Sequence, residues 1–456
     1  MTRYEAIVIG TGQAGPSLAR RLAASGSRVA IIERNRFGGT CINTGCTPTK
    51  ALVASAYAAH LARRGAEYGV MTGAVSVDMR RVKERMETIR GTSRAAVERS
   101  LRSTAGVTVY KGHARFAAAR QVAVGDDVLA GERVFINVGG RPAVPSIPGI
   151  DTVPHLTSST ILELDAVPPH LVVIGGSYVG LEFAQMYRRF GSDVTVIEAG
   201  PRLVAREDPE ISAAIHAILR AEDVQVLAGA KVLGVNGTGG RIGVTVEGGD
   251  GPATIEGSHL LLAVGRRPNT DDLGLDRAGI AVDAHGYIQT DDTLRTSAAD
   301  VWALGECNGR GAFTHTAYND FAIVAANLLD GQARSVRDRI PAYAMFIDPP
   351  LGRVGLTETQ ARAQGHSILT AGMPMEDVSR AFEKSETAGI MKLVVDRTSE
   401  RILGAAILGT GGDEAVHCVL DTMYAGARYT VLQAAMHIHP TVAEFIPSLL
   451  DDLQAA

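Results

Sequence analysis

Cysteine is scarce: four residues in a chain of 456 cannot cross-link a scaffold of this size, and in reducing surroundings a disulfide among so few is more often catalytic than structural. Long apolar runs are missing as well. The longest, such as the AIVI of residues 6–9 and the LVVI of residues 171–174, have the length of strands rather than the roughly 20 residues that span a bilayer. Neither charge sign dominates. A formal net charge of −4 gives no electrostatic reason to expect a nucleic-acid partner or an anionic membrane surface. No apolar stretch of a secretory leader precedes the first strand, expected to begin by about Tyr4, so the cytoplasm is the expected compartment. What remains, 46% hydrophobic and 21% charged residues, is the balance of a soluble globular protein. At about 150 residues per domain, the length asks for three domains.

Against that scarcity, two of the four cysteines stand five positions apart in residues 38–50, GGTCINTGCTPTK. On an ideal helix, positions five apart rise about 7.5 Å and point roughly 140° away from each other, beyond the Cα separation of about 4.4–6.8 Å that a disulfide accepts. Bridging Cys41 to Cys46 therefore calls for a distorted turn. Gly45 permits one, and Pro48 suits a first helical turn, where a missing N–H costs nothing. A helix is expected from there through ALVASAYAAHLARR. Its N-terminal dipole lowers the pKa of a nearby thiol and favours the thiolate, the nucleophile of disulfide exchange. Two buried structural cysteines need no such framing, so the stretch reads as a redox dithiol.

The dithiol follows a dinucleotide fingerprint. A buried strand, AIVIG, ends in the GxGxxG turn of Gly10, Gly12 and Gly15; the helix PSLARRLAASG follows, and the strand RVAIIE closes the unit at Glu33. The glycines allow a tight turn and close approach of a pyrophosphate to the helix N-terminus, while Glu33 is placed to accept from a ribose hydroxyl. The unit then recurs: Gly175, Gly180, Gly191 and Glu198 stand where the first copy has Gly10, Gly15, Gly26 and Glu33, each 165 positions on. Two such units imply two dinucleotides. Ser177 replaces the middle glycine of the second copy, and weakened packing rather than lost binding is expected there.

Between the copies, residues 78–101 form a charged amphipathic helical region whose basic residues read as a solvated face rather than a nucleic-acid contact. Strand-like VTVYKGHARF and RVFINVGGRP follow, and Gly139 and Gly140 with Pro142, Pro145 and Pro148 mark a crossing into a second domain. That domain closes near LLLAVGRRPNT, which contains Gly265. After about residue 340 the composition shifts into AYAMFIDPPLGRVGLTETQA, the strand-like IMKLVVD and ILGAAILG, a helix beginning near Asp413, and the run His437-Ile438-His439-Pro440-Thr441-Val442-Ala443-Glu444.

These motifs, in this order, resemble the class I pyridine-nucleotide disulfide oxidoreductases, the family of dihydrolipoamide dehydrogenase, glutathione reductase and mercuric reductase. The Cys-Thr-Pro-Thr-Lys ending is most similar to the mercuric-reductase-like branch. The resemblance covers essentially the whole chain and implies an α/β fold: two Rossmann-like dinucleotide-binding domains, for FAD and NAD(P), plus a C-terminal α+β dimerisation domain. The expected boundaries are 1–146 and 269–338 for FAD, 147–268 for NAD(P), and 339–456 for the interface of a homodimer. The implied activity is an FAD-dependent NAD(P)H:disulfide oxidoreductase in which electrons pass from the nicotinamide through the flavin to a Cys41–Cys46 disulfide.

By the same resemblance, Cys41 is the interchange thiol and Cys46 the flavin-facing thiol. Lys50, paired with Glu182, stands near the reactive flavin nitrogen, and Tyr178 covers the nicotinamide pocket. His439, oriented by Glu444, reaches the other subunit's active site as the acid–base group. Gly39, Thr40, Gly139, Gly265, Gly305 and Glu306 join the fingerprint residues on the cofactor side. Glu306 stands where the family usually has an aspartate against the ribityl chain. Cys307, Cys418 and His437 read as structural, and no resident metal is expected. Glu198 favours NADH over NADPH, because a carboxylate accepts from the ribose 2′-hydroxyl and repels a 2′-phosphate; Arg202 and Arg206 lie close enough in sequence to soften that repulsion.

A dithiol attacking a disulfide must see the departing thiolate protonated, which an imidazole does near neutrality; a metal ion captured by thiolates has no such leaving group. With His439 and Glu444 present and no cysteine pair near the C-terminus, a small disulfide or thiol-reactive oxidant is expected rather than mercuric ion. The alternatives are a dihydrolipoamide dehydrogenase and a metal-ion reductase. A flavin-containing redox sensor or assembly component is the non-enzymatic one, though it would need neither the Cys pair nor the His–Glu pair.

Overall fold

The computed structural model describes residues 1–248 and 251–455. Thr2–Ile9 is the central strand of a parallel sheet, flanked by Val29–Glu33 and Asp127–Ile136; Val107–Lys111 extends one edge, and Val301–Ala303 joins Asp127–Ile136 from much later in the chain. Alternate side chains sort this sheet into two cores. Ile7, Ile9, Ala30, Ile32, Val134 and Ile136 face one side, and Ala6, Val8, Val29, Ile31 and Phe135 the other. Burial on both faces is why these strands read as unbroken apolar runs, and each such side chain withdrawn from water contributes about 1.5–3 kcal/mol. The run VTVYKGHARF breaks at Gly112 (φ 157°) into Val107–Lys111 and Ala114–Ala118.

The second parallel sheet comprises His170–Ile174, Asp193–Glu198, Gln225–Ala228, His259–Leu262 and Leu156–Thr157. It repeats the alternation, with Leu171, Val173, Val194 and Val196 on one face and Val172, Ile174 and Ile197 on the other. Against the latter packs an antiparallel meander of Lys231–Thr238, Arg241–Gly248 and Gly251–Gly257, through Ile242, Val244 and Val246. Both crossings between the sheets run through one short antiparallel ribbon, Gly140–Pro142 against Arg266–Pro268.

The C-terminal part is an antiparallel sheet in the order Ala342–Met345, Leu351–Gly355, Ile402–Leu408, Ile390–Asp396, Ile368–Pro374 and Gln454–Ala455. Gly412–Tyr424 packs on it, and a Cβ on Gly352 would lie 2.2 Å from Gly412 O. The architecture is the expected one of two dinucleotide-binding sheets and a C-terminal α+β unit. Among the described residues, no helix is long and apolar enough to cross a membrane.

Met79–Ser103 is a single helix, capped by Asp78, whose carboxylate accepts from the Arg81 N–H at 3.2 Å. Its basic residues are not simply a solvated face. Arg90 is 3% exposed, Arg85 donates to Ala51 O at 2.7 Å and Lys83 to Glu163 O at 2.5 Å. Charge periodicity reveals a polar face; it does not reveal which carbonyls and carboxylates of other elements are packed against it.

Candidate active site

The turn that carries Cys41 and Cys46 is two helices with a kink between them. Gly39–Asn43 is a single turn that carries Cys41, and Cys46–Arg64 starts at Cys46 itself, two residues before the expected start at Pro48. Gly45 joins them at φ −133°, ψ −120°, and a Cβ on it would lie 3.0 Å from Thr40 O. This is the distortion that the five-residue spacing demands. Asn43 is buried and donates from Nδ2 to Phe37 O at 2.8 Å and Gly39 O at 2.9 Å, while the Thr44 N–H reaches Thr40 O at 2.8 Å.

Both thiols are free, and they differ in acidity. The Cys41 thiol donates to Cys46 and, against the opposing effect of burial, holds Cys46 down at about 5; the Thr314 hydroxyl, the Lys50 charge and the backbone at the helix start add to the lowering. Thr314 Oγ1 lies 3.3 Å from the Cys46 sulfur. The same contact, together with burial, pushes Cys41 up. The two thiols are thus shifted in opposite directions, Cys46 toward the thiolate and Cys41 toward the protonated form.

Both cysteines open on a cavity of about 1480 Å³, larger than the roughly 300–1,000 Å³ of ordinary small-molecule sites. At its floor, Gly10 has φ 103° and would place a Cβ 2.3 Å from Asn137 O, Gly12 one 2.8 Å from Asn137 Oδ1, and Gly15 one 2.2 Å from Gly10 O. A Cβ on Gly39 would lie 2.7 Å from Gly12 Cα, so the Cys41 helix rests directly on the first glycine turn. Asn137, which the sequence reading passed over, ties these pieces together: Oδ1 accepts from the Gly15 N–H at 3.0 Å and Nδ2 donates to Leu304 O at 2.8 Å. Its signal was a lone amide closing the apolar strand RVFIN.

Glu33 is buried at the strand end, accepting from the Thr11 N–H (3.1 Å), the Thr11 hydroxyl (2.5 Å) and the Asn35 N–H (2.8 Å). Glu198 is fixed likewise by the N–H groups of Gly176 and Gly200, both at 2.7 Å. In the second copy a Cβ on Gly180 would lie 2.0 Å from Gly175 O. Ser177 is the N-cap of Tyr178–Phe190 and makes no side-chain capping bond. Thr40 Oγ1 reaches Gly140 O at 3.4 Å, and Gly139, Gly265 and Gly305 all have positive φ.

Lys50 Nζ donates to Glu182 Oε2 at 2.7 Å, and Glu182, only 4% exposed, also accepts from the Phe346 N–H at 2.8 Å. The Tyr178 ring lies 5.6 Å from that of Phe313, which stacks with His315 and Tyr343; Phe313 and Thr314 were not foreseen as site residues. Glu306 lines the cavity, but both its oxygens are taken by Arg266, at 2.6 and 2.9 Å, and Arg266 donates further to Gly140 O at 2.7 Å. Cys307 is buried, with its thiol pushed up to about 12 by desolvation; Cys418 and His437 are half-buried and donate to Ala415 O and Ala435 O.

His439 Nδ1 lies 3.0 and 3.1 Å from the two Glu444 oxygens. Its side chain is 73% exposed and does not line the cavity, so a single chain does not bring His439 to the dithiol. Met436 and Ile438, just before it in the chain, are exposed.

The pyridine nucleotide-disulphide oxidoreductase family matches residues 4–320, and that family's dimerisation domain matches residues 341–449. The chain belongs to this family. A probable pyridine nucleotide-disulfide oxidoreductase, RclA of Escherichia coli, is 36% identical, covering 98% of this chain and 99% of its own length. A mercuric reductase of Streptomyces lividans is 34% identical over 97% of this chain and 94% of its own. A solved structure of HOCl-induced flavoprotein disulfide reductase RclA from Escherichia coli matches with a TM-score of 0.90, covering 98% of this chain and 99% of that one.

Membership makes this pyridine nucleotide-disulphide oxidoreductase an enzyme that uses FAD and a pyridine nucleotide. The residues fit two such groups. In each glycine turn the missing Cβ lets the helix start close against the strand end, Gly15 on Gly10 O and Gly180 on Gly175 O, and each strand end presents a carboxylate, Glu33 or Glu198, already oriented by backbone N–H groups.

Proposed function

We propose that this oxidoreductase takes electrons from NADH and uses the Cys41–Cys46 pair to reduce a small organic disulfide or a comparable thiol-reactive oxidant, working as a cytoplasmic homodimer. The observation that carries the reading is the placement of Cys41 and Cys46 on either side of the Gly45 kink, both lining the large cavity together with Lys50 and Glu182, which are paired at 2.7 Å. Bound FAD supplies hydride acceptance from the nicotinamide and delivery of two electrons to the disulfide. Residues 1–146 and 269–338 hold it through Gly10, Gly12, Gly15, Glu33, Gly39, Thr40, Gly139 and Gly305. Residues 147–268 hold the nicotinamide dinucleotide through Gly175, Tyr178, Gly180, Glu198 and Gly265, and residues 339–456 form the interface. Lys50, held by Glu182, places a fixed positive charge where negative charge develops.

The high pKa of Cys41 explains why the site needs an imidazole. The partner's His439 takes the Cys41 proton, and the freed thiolate attacks one sulfur of the substrate disulfide. A mixed disulfide forms, and the departing thiolate takes the proton back from the imidazolium. The Cys46 thiolate then attacks the Cys41 sulfur, re-forming the internal disulfide and releasing the second substrate sulfur as a thiolate, which takes its proton from solvent. The exposed Met436 and Ile438 next to His439 in the chain belong to the surface a second protomer covers. For the nucleotide, Glu198 faces the ribose, and Arg202 is turned away to Ala205 O and Glu207 O, both at 3.3 Å, which supports NADH.

A second reading has specific support: relatives include mercuric reductases, and the Escherichia coli relative has been solved as a Cu(II) complex. Oxidation of NADH by wild type, Cys41→Ser and His439→Ala, with a panel of small disulfides and with Hg²⁺ and Cu²⁺, separates the two. Disulfide turnover lost in both variants supports the proposal; metal-ion turnover far faster than any disulfide, and indifferent to His439→Ala, replaces it with the metal-ion reading.

A further inference from the structure

We propose that Arg90 is a positioning residue for the Cys41–Cys46 dithiol, pinning the turn between the two cysteines and tying it to the nicotinamide-side domain. The proposal rests on the dithiol reading above. Arg90 projects from the middle of Met79–Ser103 and is 3% exposed. A guanidinium that far from water must be satisfied by acceptors. Nη1 donates to Asn43 O at 3.1 Å, Nη1 and Nη2 both reach Glu163 Oε1 at 3.3 Å, and Nε donates to Glu87 Oε2 at 3.0 Å. Glu87 is on the same helix; the other two acceptors are not.

Asn43 lies between the cysteines and ends the helix that carries Cys41. Its carbonyl has no partner within that helix, and helix-end carbonyls carry partial negative charge that a cation stabilises. Its side chain is already committed to Phe37 O and Gly39 O. With Arg90 on the carbonyl, both the side chain and the main chain of Asn43 are held, and Gly45 is the one glycine left to absorb motion between Cys41 and Cys46. Glu163 belongs to the short helix Ile161–Glu163, beyond the strand Leu156–Thr157 of the second sheet, and its carbonyl also accepts from Lys83. One buried cation thus joins the redox turn to the domain expected to carry the nicotinamide.

Without that bond the Asn43 peptide is free to rotate about the Gly45 joint. The sulfurs then sample separations wider than a disulfide tolerates, so the oxidised form loses stability relative to the dithiol. The test is equilibration of the full-length holoenzyme in dithiothreitol redox buffers, where protein disulfide plus reduced dithiothreitol gives protein dithiol plus cyclic oxidised dithiothreitol, with two electrons and two protons exchanged. The oxidised fraction is read by alkylation and mass. In Arg90→Gln the equilibrium is expected to move toward the dithiol by about tenfold, the size of one hydrogen bond from a charged donor, or about 30 mV for two electrons. Arg90→Lys, which keeps the charge and one donor, is expected to recover part of it.

A folded Arg90→Gln with the wild-type midpoint overturns the proposal. If that variant does not fold, Glu163→Gln decides, because its side chain is 54% exposed: a shift in the same direction supports the proposal and an unmoved midpoint overturns it. A wild type that forms no Cys41–Cys46 disulfide even in the most oxidising buffer sinks the dithiol reading itself, a different result from an unmoved variant.

Discussion

Replacing Cys41 by alanine removes the donor that does most to keep Cys46 ionised. A hydrogen bond to a charged group is worth about 1.5–3 kcal/mol, and one pKa unit corresponds to about 1.36 kcal/mol. Losing the bond therefore raises Cys46 by about one to two units, from about 5 to about 6–7. The Thr314 hydroxyl, the Lys50 charge and the helix-start backbone keep the remainder of the lowering. The sign for stability follows from the direction of the shift. A thiol whose folded value lies below its ordinary one contributes stability that is fully present above that ordinary value and is lost as pH falls through the folded value. In wild type the loss is complete once pH has fallen through about 5; in Cys41→Ala it starts from the same ordinary thiol value but is complete about one to two units higher, so the total contribution is smaller. The assay is the rate of Cys46 alkylation in the reduced protein against pH, read by mass spectrometry, with the long-wavelength thiolate–flavin absorbance of the holoenzyme as an independent readout. A variant midpoint still near 5 would show that Lys50 and Thr314 suffice without Cys41, and a wild-type midpoint near the ordinary thiol value would remove the premise.

Cys46→Ser is expected to keep its flavin and lose the long-wavelength absorbance; a spectrum unchanged from wild type rejects Cys46 as the flavin-facing thiol. His439→Ala is expected to lower disulfide turnover by about 10²–10⁴-fold while flavin reduction by NADH, followed by stopped flow, stays nearly intact, and equal losses in both half-reactions would place the residue elsewhere. The kcat/KM for NADH is expected to exceed that for NADPH, with Glu198→Ala narrowing the ratio; a wild type that prefers NADPH would show that Arg202 and Arg206 dominate the site.

The two nucleotide units were readable because their requirements are local and are met twice. A Cβ on Gly15 would strike Gly10 O at 2.2 Å and one on Gly180 would strike Gly175 O at 2.0 Å, the same contact in both copies. Glycine recurring at one offset is therefore a packing demand written into the chain. The dithiol was readable for a similar reason: five positions cannot be bridged along a regular helix, and Gly45 supplies the break within the same thirteen residues. The His439–Glu444 pair, five residues apart, was visible too, but a single chain leaves it 73% exposed and away from the cavity.

What escaped the sequence reading is what holds those pieces against one another. Arg90 finds its carbonyl 47 residues away, Asn137 bonds across 122 and 167 residues, and Arg266 across 40 and 126. A basic residue in a run of basic residues looks the same whether it meets water or a buried carboxylate, so periodicity sorts faces without naming partners. Glu306 shows the same limit from the other side. Read along the chain, it is an aspartate position with one extra methylene, whose bond to the cofactor is in question. In the fold, the carboxylate packs so close to Gly140 that a Cβ there would lie 2.7 Å from its carboxyl carbon, and Arg266 grips both oxygens while also holding Gly140 O. The added length thus joins the segment after Val301–Ala303 to the ribbon through which both domain crossings pass. Glu306 thus has a structural partner that the chain order does not suggest, and only the pairing of residues 140, 266 and 306 in space makes it visible.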